Sequence, residues 1–304
     1  MSSSLQLPHW QVAWVRDTVA ERCGLYLGGP HETYLNTQLA LRMRELRVEF
    51  PGYCQLLQES PCGGGELQAL VERLCIHETS FLRDPAHFDA LARFIVPQLT
   101  REANRTGRRR LRLVSAGCST GQEAYSVAMI VDGARPLLND IEVEIVGIDV
   151  SGDALERASR GMYSAREVAT VEPWRRQRYF RPVGADFEVI PALRQSIRWL
   201  RSNLAAELPV TQVDVIFCRN VLIYFHGPQR DTLVRNLIAG LRRGGFLVTG
   251  YADSLHAYRS ILQTIRTNNT VIFRRPLGSA PAEELRLGPV AATTAGTAGT
   301  RSVH

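Results

Sequence analysis

A glycine-rich turn and a carboxylate that follows an apolar run are the residues that first suggest chemistry in this chain. The apolar run 111–116 ends in a turn containing Gly117 and Gly121, and Asp149 directly follows a second apolar run, 145–148. Glycines let the backbone approach a ligand closely, and a carboxylate accepts hydrogen bonds from ribose hydroxyls. A strand, a glycine turn, a helix and an acid after the next strand together predict half of a nucleotide-binding α/β sheet.

Two common nucleotide-binding signatures are absent from the sequence. No G-x-G-x-x-G follows the first predicted strand, and no P-loop G-x-x-x-x-G-K-[ST] occurs anywhere. The first signature is typical of hydride-transfer proteins, and the second is typical of loops that cradle nucleotide phosphates. The sequence therefore predicts a nucleoside-like ligand without indicating either of those protein classes.

Alternating strands and helices from residue 111 onward must position these residues. Apolar runs of strand length are separated there by segments with helical periodicity. The predicted strands are 111–116, 142–148, 197–201, 213–218, 245–250 and 270–274, and the predicted helices are 121–133, 152–160 and 228–242. Such alternation predicts a mostly parallel sheet with helices on both faces.

Three segments depart from this alternation. Residues 1–76 contain no strand signal, and an apolar stripe with helical spacing, including Leu35 and Leu39, predicts a small all-α domain. The region 162–195 contains prolines and short apolar pieces, which predict an inserted subdomain rather than a crossover helix. The segment 277–304 is rich in Ala, Gly, Thr and Pro, a composition that predicts a disordered tail.

The sequence predicts neither a secretory signal nor a membrane span. The N-terminal residues lack the basic region and the apolar region of a secretory signal. No run of 18 or more apolar residues is present, so we expect no membrane span. The six cysteines include no C-x-x-C pair. We therefore expect free thiols in a reducing cytoplasm, without disulfides or a bound metal.

The net charge of +6 comes from 36 basic and 30 acidic residues, and the basic residues are arginines. Arginine favours planar anionic partners such as carboxylates and phosphates. Nucleic acid, an acidic protein surface and a generally arginine-rich composition all fit this charge. The densest run, 101–110, is interpreted as a solvated connecting loop.

Four separated motifs resemble the CheR family of chemoreceptor glutamate methyltransferases, which use S-adenosylmethionine. The Cys-Arg-Asn-Val-x-Ile-Tyr-Phe pattern is the most specific of them. The motifs are His-Glu-Thr-Ser-Phe-Leu-Arg-Asp at 77–84, Ser-Ala-Gly-Cys-Ser-Thr-Gly-Gln-Glu-Ala-Tyr-Ser at 115–126, Gly-Ile-Asp-Val-Ser at 147–151 and Asp-Val-Ile-Phe-Cys-Arg-Asn-Val-Leu-Ile-Tyr-Phe at 214–225.

The resemblance implies an α/β fold with a Rossmann-like S-adenosylmethionine-dependent methyltransferase domain. A small N-terminal helical domain at 1–76 is joined by a linker segment and connecting helix at 77–110 to this domain at 111–276. A small antiparallel β subdomain is inserted at 162–195, and the tail follows at 277–304.

The resemblance also implies the residues of the site. Arg83 and Tyr224 are expected to be catalytic. The expected cofactor contacts are His77, Thr79, Arg83, Glu123, Asp149, Asn203, Leu204, Asn220 and Val221. The family usually has Asn where this chain has His77, and histidine differs from asparagine in shape and charge.

The implied reaction transfers a methyl group to glutamate side chains in the cytoplasmic helical region of methyl-accepting chemoreceptors, which adjusts their signalling. S-adenosylhomocysteine is the other product, and no metal is expected. A glutamate is already ionised at neutral pH because its ordinary pKa is about 4.3. No general base is therefore required, and Cys118 need not act as a nucleophile. We expect a cytoplasmic monomer that binds no nucleic acid.

Each of the main site residues also has a simpler structural interpretation. Asp149 could cap the helix that follows it, and the charge of Glu123 could be stabilised by the positive end of its helix. Arg83 could form an ion pair with Asp84 or Glu78. Tyr224 could simply pack in the core. Arg219 is interpreted as the partner of a nearby acid.

Two other functions remain open from the sequence. A catalytically weak module that binds the cofactor and docks on receptors is suggested by His77 and by Tyr251-Ala-Asp253, which replaces the family's His-Ser-Glu. A nucleic-acid methyltransferase is suggested by the arginine content, although no RNA-binding module is visible.

The helix with Arg42, Arg44 and Arg47 is a candidate docking surface for an acidic receptor or a solvated face. The short loop at 184–186 suggests independence from a receptor tether.

Overall fold

The computed structural model describes residues 6–61, 64–75, 78–206, 208–267, 269–278 and the backbone of 285–286. The predicted tail at 277–304 therefore lies mostly outside the described residues. Among the described helices, none has the length and apolarity needed to cross a lipid bilayer.

Helices form the N-terminal part of the chain, as predicted. Leu35 and Leu39 of the predicted apolar stripe are fully buried in a core that also contains Tyr53 and Leu57. The first helix is terminated by the residue that follows it, Gly24, whose φ of 79° is readily adopted by glycine. The helices are α1 (His9–Cys23), α2 (Glu32–Leu46), α3 (Phe50–Glu59) and α4 (Gly65–Leu74), with a 3₁₀ turn at Gly29–His31.

A long helical segment connects this part to the sheet. It comprises α5 (Pro85–Ala90), a π-helical stretch (Leu91–Ile95) and α6 (Val96–Thr106). The interpretation of 101–110 as a loop was therefore wrong, because helix continues to Thr106 and a strand begins at Arg110. Buried Leu99 and Ala103 hold one face of α6 on the core, so the arginines occupy its outer face.

The central sheet has the order β11-β9-β10-β8-β7-β1-β2-β6. Strands β6, β2, β1, β7 and β8 are parallel, whereas β10 is antiparallel to both β8 and β9. The strands of this sheet are β1 (Arg110–Ala116), β2 (Glu142–Asp149), β6 (Ile197–Arg201), β7 (Val213–Cys218), β8 (Leu241–Thr249), β9 (Gln263–Arg266), β10 (Val271–Arg274) and β11 (Leu285–Arg286).

Helices flank the sheet on both faces, as the alternation predicted. They are α7 (Gln122–Gly133), α8 (Arg135–Leu138), α9 (Gly152–Arg160) and α13 (Gly227–Gly240). The predicted helix 228–242 was wrong at its end, because the chain enters β8 at Leu241. There Leu241 pairs with Val213 before a register shift in the ladder. Short 3₁₀ turns occur at Leu222–Tyr224 and His256–Tyr258.

The predicted insertion at 162–195 contains a separate antiparallel sheet with the order β3-β5-β4. Its strands are β3 (Met162–Ser164), β4 (Phe180–Val183) and β5 (Asp186–Val189), and its helices are α10 (Ala165–Val168), α11 (Pro173–Tyr179) and α12 (Pro191–Gln195). The predicted α/β class with a mostly parallel sheet, an inserted β subdomain and an N-terminal helical part is confirmed.

The N-terminal helices pack against one edge of the sheet through main-chain contacts. Asn203 Nδ2 donates to the carbonyl oxygen of Cys23 at 3.2 Å, and Gln68 Nε2 donates to that of Val150 at 3.0 Å. The backbone N–H of Tyr26 donates to the carbonyl oxygen of Tyr224 at 2.9 Å. These contacts enclose a cavity between the helices and the carboxyl ends of the strands.

Candidate active site

One cavity collects nearly all of the residues that the sequence singled out. It lies where β1, β2 and β7 end, which is the edge at which parallel α/β sheets bind ligands. The predicted residues that line it are Thr79, Arg83, Glu123, Asp149, Asn203, Leu204, Asn220, Val221 and Tyr224. His77 lies outside the described residues.

Asp149 is held at the cavity by two backbone N–H groups. Its Oδ2 accepts a hydrogen bond from Ser119 at 2.7 Å, and its Oδ1 accepts one from Ser151 at 2.9 Å. Ser151, and not Asp149, caps α9, because its hydroxyl oxygen accepts from the N–H of Ala154. The helix-cap interpretation of Asp149 was therefore wrong. An ionised carboxylate has about four acceptor positions, so two remain for a ligand.

Gly117 brings the loop after β1 against the loop after β7. Its φ is +79°, and a Cβ atom at this position would lie 2.3 Å from Cγ2 of Val221. The backbone N–H of Gly117 also donates to the carbonyl oxygen of Ile148 at 2.8 Å. Only glycine satisfies both the left-handed backbone and this close approach. The resulting narrow wall belongs to the cavity.

Glu123, in the first turn of α7, is buried beside the cavity. Its Oε1 accepts from the hydroxyl of Ser115 at 2.8 Å, and its Oε2 lies 3.3 Å from Nη1 of Arg219. Burial raises the pKa of Glu123, whereas the charge of Arg219 lowers that pKa. The predicted pairing of Arg219 with a nearby acid is confirmed, and it has a second acid, Asp84, at 2.6 Å.

Arg83 keeps its guanidinium available at the cavity wall. Its Nη1 donates to the carbonyl oxygen of Glu78 at 3.1 Å, not to a carboxylate. The interpretation of Arg83 as an ion-pair partner of Asp84 was wrong, because Asp84 pairs with Arg219. A guanidinium at a cavity wall is suited to bind a carboxylate by two parallel hydrogen bonds.

Tyr224 and the nearby thiols carry protons at neutral pH. Burial is the main cause that raises the pKa of Tyr224, so its phenol stays a hydrogen-bond donor. Burial raises the pKa of Cys75 to about 12 and also raises that of Cys118. Neither thiol is therefore a thiolate nucleophile at neutral pH.

The N-terminal helices supply cavity residues that sequence reasoning missed. Helices α1 and α4 and the residues just after them contribute Cys23, Leu25, Val71, Leu74 and Cys75 to the wall. Their apolar character predicted burial in a helical core but did not indicate which other part of the chain they would contact. The missing information is the packing of the N-terminal helices against the sheet, which has no local sequence signal.

A comparison with known protein families identifies the family of the chain that forms this cavity. A family described as "CheR methyltransferase, SAM binding domain" matches residues 77–271. The chain belongs to the CheR methyltransferase family. It is therefore an S-adenosylmethionine-dependent methyltransferase, and the sequence-based assignment of family and cofactor is confirmed.

Relatives within the CheR family extend over most of the chain. "Chemotaxis protein methyltransferase 2" of Vibrio cholerae is 29% identical over 267 residues, covering 86% of this chain and 91% of the relative. "Chemotaxis protein methyltransferase Cher2" of Pseudomonas putida is 31% identical, covering 83% and 93%. "Probable biofilm formation methyltransferase WspC" of Pseudomonas aeruginosa is 34% identical, covering 75% of this chain and 54% of the relative.

The geometry of the cavity fits the cofactor of the CheR family. The close approach at Gly117 leaves a channel wall without side-chain bulk, and Asp149 has acceptor positions suited to ribose hydroxyls. The carboxyl groups of Glu78, Glu123 and Asp149 outnumber the two guanidinium groups in the lining, a balance that favours a ligand carrying a sulfonium and an ammonium group. Apolar residues such as Leu204 and Val221 offer surfaces for the adenine.

Proposed function

We propose that the protein methylates glutamate side chains in the cytoplasmic helical region of chemoreceptors. The observation that carries this proposal is the guanidinium of Arg83 at the cavity wall, which meets no carboxylate among the described residues and can bind an incoming one. Tyr224 and Cys75 hold their protons, and Asp149 and Glu123 are engaged by hydrogen-bond donors. An acceptor that is already ionised, as a glutamate is above about pH 4.3, fits such a cavity.

The proposed catalytic residues act by positioning. When bound, S-adenosylmethionine supplies an electrophilic methyl group on its sulfonium. The guanidinium of Arg83 orients the incoming carboxylate by paired hydrogen bonds, and the ring of Tyr224 walls the site of transfer. The N-terminal helices exclude water from the same space. Alignment of this kind accounts for large rate enhancements without proton transfer.

The remaining site residues are proposed to hold the cofactor. Asp149 binds the ribose, and Glu123 faces the methionine end. Thr79, Asn203, Leu204, Asn220 and Val221 complete the binding surface, and their position around one cavity supports these roles. His77 is retained as a proposed contact from the motif alone.

The acceptor is proposed to be a receptor because several relatives are named as chemotaxis methyltransferases. The name of WspC suggests biofilm formation as another output of the same chemistry.

On α2, Arg42 is bound to Glu66 at 2.7 Å, which leaves Arg44 and Arg47 as the exposed cations that could meet an acidic receptor. We further propose a cytoplasmic monomer in which 1–76 and 111–276 are separate domains.

The test is transfer of labelled methyl from S-adenosylmethionine to receptor-containing membranes, followed by alkali. Carboxyl methylation predicts label released as volatile methanol, because methyl esters are cleaved by base. Arg83→Ala should abolish transfer. Retained binding of S-adenosylhomocysteine in calorimetry would assign Arg83 to the acceptor, whereas lost binding would assign it to the cofactor. Label that resists alkali would instead indicate a nitrogen acceptor, and transfer to RNA would indicate a nucleic-acid methyltransferase. Cofactor binding with no transfer to any acceptor would favour a docking module.

A further inference from the structure

Arg219 is a buried cation that contacts both sides of the cavity. It follows β7, and its side chain is 2% exposed. Its Nη1 lies 3.3 Å from Oε2 of Glu123, and its Nη2 lies 2.6 Å from Oδ2 of Asp84. The same Nη2 donates to the carbonyl oxygen of Arg83, and the guanidinium lies 5.4 Å from the ring centroid of Phe88. One side chain thereby connects α7 with the segment that carries Arg83.

That segment has an unfavourable backbone conformation. Leu82 and Asp84, which flank Arg83, have φ values of 52° and 54°. Residues other than glycine adopt this left-handed region at a cost, so surrounding contacts must maintain it. The N–H of Leu82 donates to the hydroxyl of Ser126 at 2.9 Å, and Arg219 holds the other side. The position from which the Arg83 side chain reaches the cavity therefore depends on Arg219.

Glu123 depends on the same guanidinium for its charge. Burial raises the pKa of Glu123, and Arg219 is the first of the groups that oppose this effect, followed by Ser115 and Arg83. The other titratable groups that face it are the buried thiols of Cys118 and Cys218, whose own pKa values are raised by burial. Without Arg219, the carboxylate would take up a proton at a higher pH.

We propose that Arg219 is a positioning residue of the methyl transfer. Through its two carboxylate partners it aligns Glu123, the proposed cofactor contact, with Arg83, the proposed acceptor contact. The inference rests on cofactor binding and methyl transfer at this cavity and holds for any acceptor. Its main test uses S-adenosylhomocysteine binding, so it can succeed even if the proposed glutamate acceptor is wrong.

The first experiment compares two arginine-to-methionine variants of the full chain. In Arg219→Met, calorimetric affinity for S-adenosylhomocysteine should fall on the order of 100-fold at pH 6.5, since a buried carboxylate loses its partner. The loss should be smaller at higher pH, where Glu123 ionises. Adding Glu123→Gln to Arg219→Met should remove this pH dependence. Arg108→Met is the matched control, because Arg108 pairs with buried Asp214 at the opposite end of β7.

The second experiment separates the two arms of Arg219. Asp84→Asn removes the ion pair to the joining segment and leaves the hydrogen bond from Arg219 to the carbonyl oxygen of Arg83 and the contact with Glu123. The kcat should therefore fall roughly tenfold while the affinity for S-adenosylhomocysteine changes little. If Arg219→Met does not fold, Arg219→Lys replaces it, and this variant must lose affinity or kcat because an ammonium lacks the planar fork. Binding by Arg219→Met that matches Arg108→Met at every pH, or wild-type kcat in Asp84→Asn, would overturn the proposal.

Discussion

Gly117→Ala is expected to destabilise the protein and to weaken cofactor binding, because a methyl group at this position has no room. The added Cβ atom would lie 2.3 Å from Cγ2 of Val221, so one of the two loops must move or Val221 must leave its rotamer. Both residues line the cavity. Any of these adjustments therefore reshapes the surface against which the cofactor binds.

The size of the effect follows from two separate contributions. A non-glycine residue with a φ of +79° loses about 1–2 kcal/mol from its backbone conformation. Overlap in a well-packed site adds about 1–3 kcal/mol. Gly107→Ala isolates the first contribution, since Gly107 has a φ of +71° and no atom within 4 Å of the added Cβ. A displaced wall should also cost at least about tenfold in affinity, which corresponds to about 1.4 kcal/mol.

The assay is urea unfolding of both variants together with calorimetric titration of S-adenosylhomocysteine. Gly117→Ala should lose more stability than Gly107→Ala, and only Gly117→Ala should bind the ligand weakly. Adding Val221→Ala should restore part of the affinity, because it removes the atom that the new methyl group meets. Equal losses of stability in the two glycine variants, with unchanged ligand binding in both, would refute the reasoning.

Three further predictions concern single side chains. Asp149→Ala should weaken S-adenosylhomocysteine binding on the order of 10- to 100-fold in calorimetry, because two backbone donors lose their charged acceptor. Burial, followed by the charge of Arg219, lowers the pKa of His87 to about 4, whereas Asp84 raises it. Below about pH 6.5, His87 therefore binds a proton in the unfolded chain but not in the native state. This difference lowers the free energy of unfolding by about 2 kcal/mol at pH 5. His87→Phe should remove this slope in urea titrations between pH 7 and pH 5. Glu66→Ala should lower stability by about 3 kcal/mol, since it leaves the Arg42 guanidinium without its bidentate partner, while ligand affinity stays unchanged.

The parts of the site that sequence could predict are those that follow strands. Asp149 is the last residue of β2, and Asn220 lies two residues after β7, so their meeting at one edge follows from the topology of the parallel strands. The local glycine pattern likewise predicted the turn at Gly117. These features are encoded by neighbouring residues, and the structure places them around one cavity as expected.

The parts that sequence could not predict depend on contacts between distant segments. Nothing near Arg219 in the chain indicates that it meets Asp84, which lies 135 residues away, as well as Glu123. The extension of β8 back to Leu241 depends on pairing with Val213, since the double arginine and glycines after Leu241 suggest a helix end and a loop. The interpretation of 101–110 as a loop was wrong because many arginines are typical of loops as well as of exposed helix faces. Few apolar residues form the buried face of α6, so the helical periodicity in the sequence is weak.

The docking of the N-terminal helices has a consequence for how such proteins diversify. The contacts of Asn203 with Cys23, of Gln68 with Val150 and of Tyr26 with Tyr224 all end on main-chain atoms. A carbonyl oxygen stays in place when its side chain is replaced, so mutations at the accepting positions preserve the attachment. The outer faces of these helices can therefore diverge toward new targets, whereas their inner faces, which line the cavity, remain constrained.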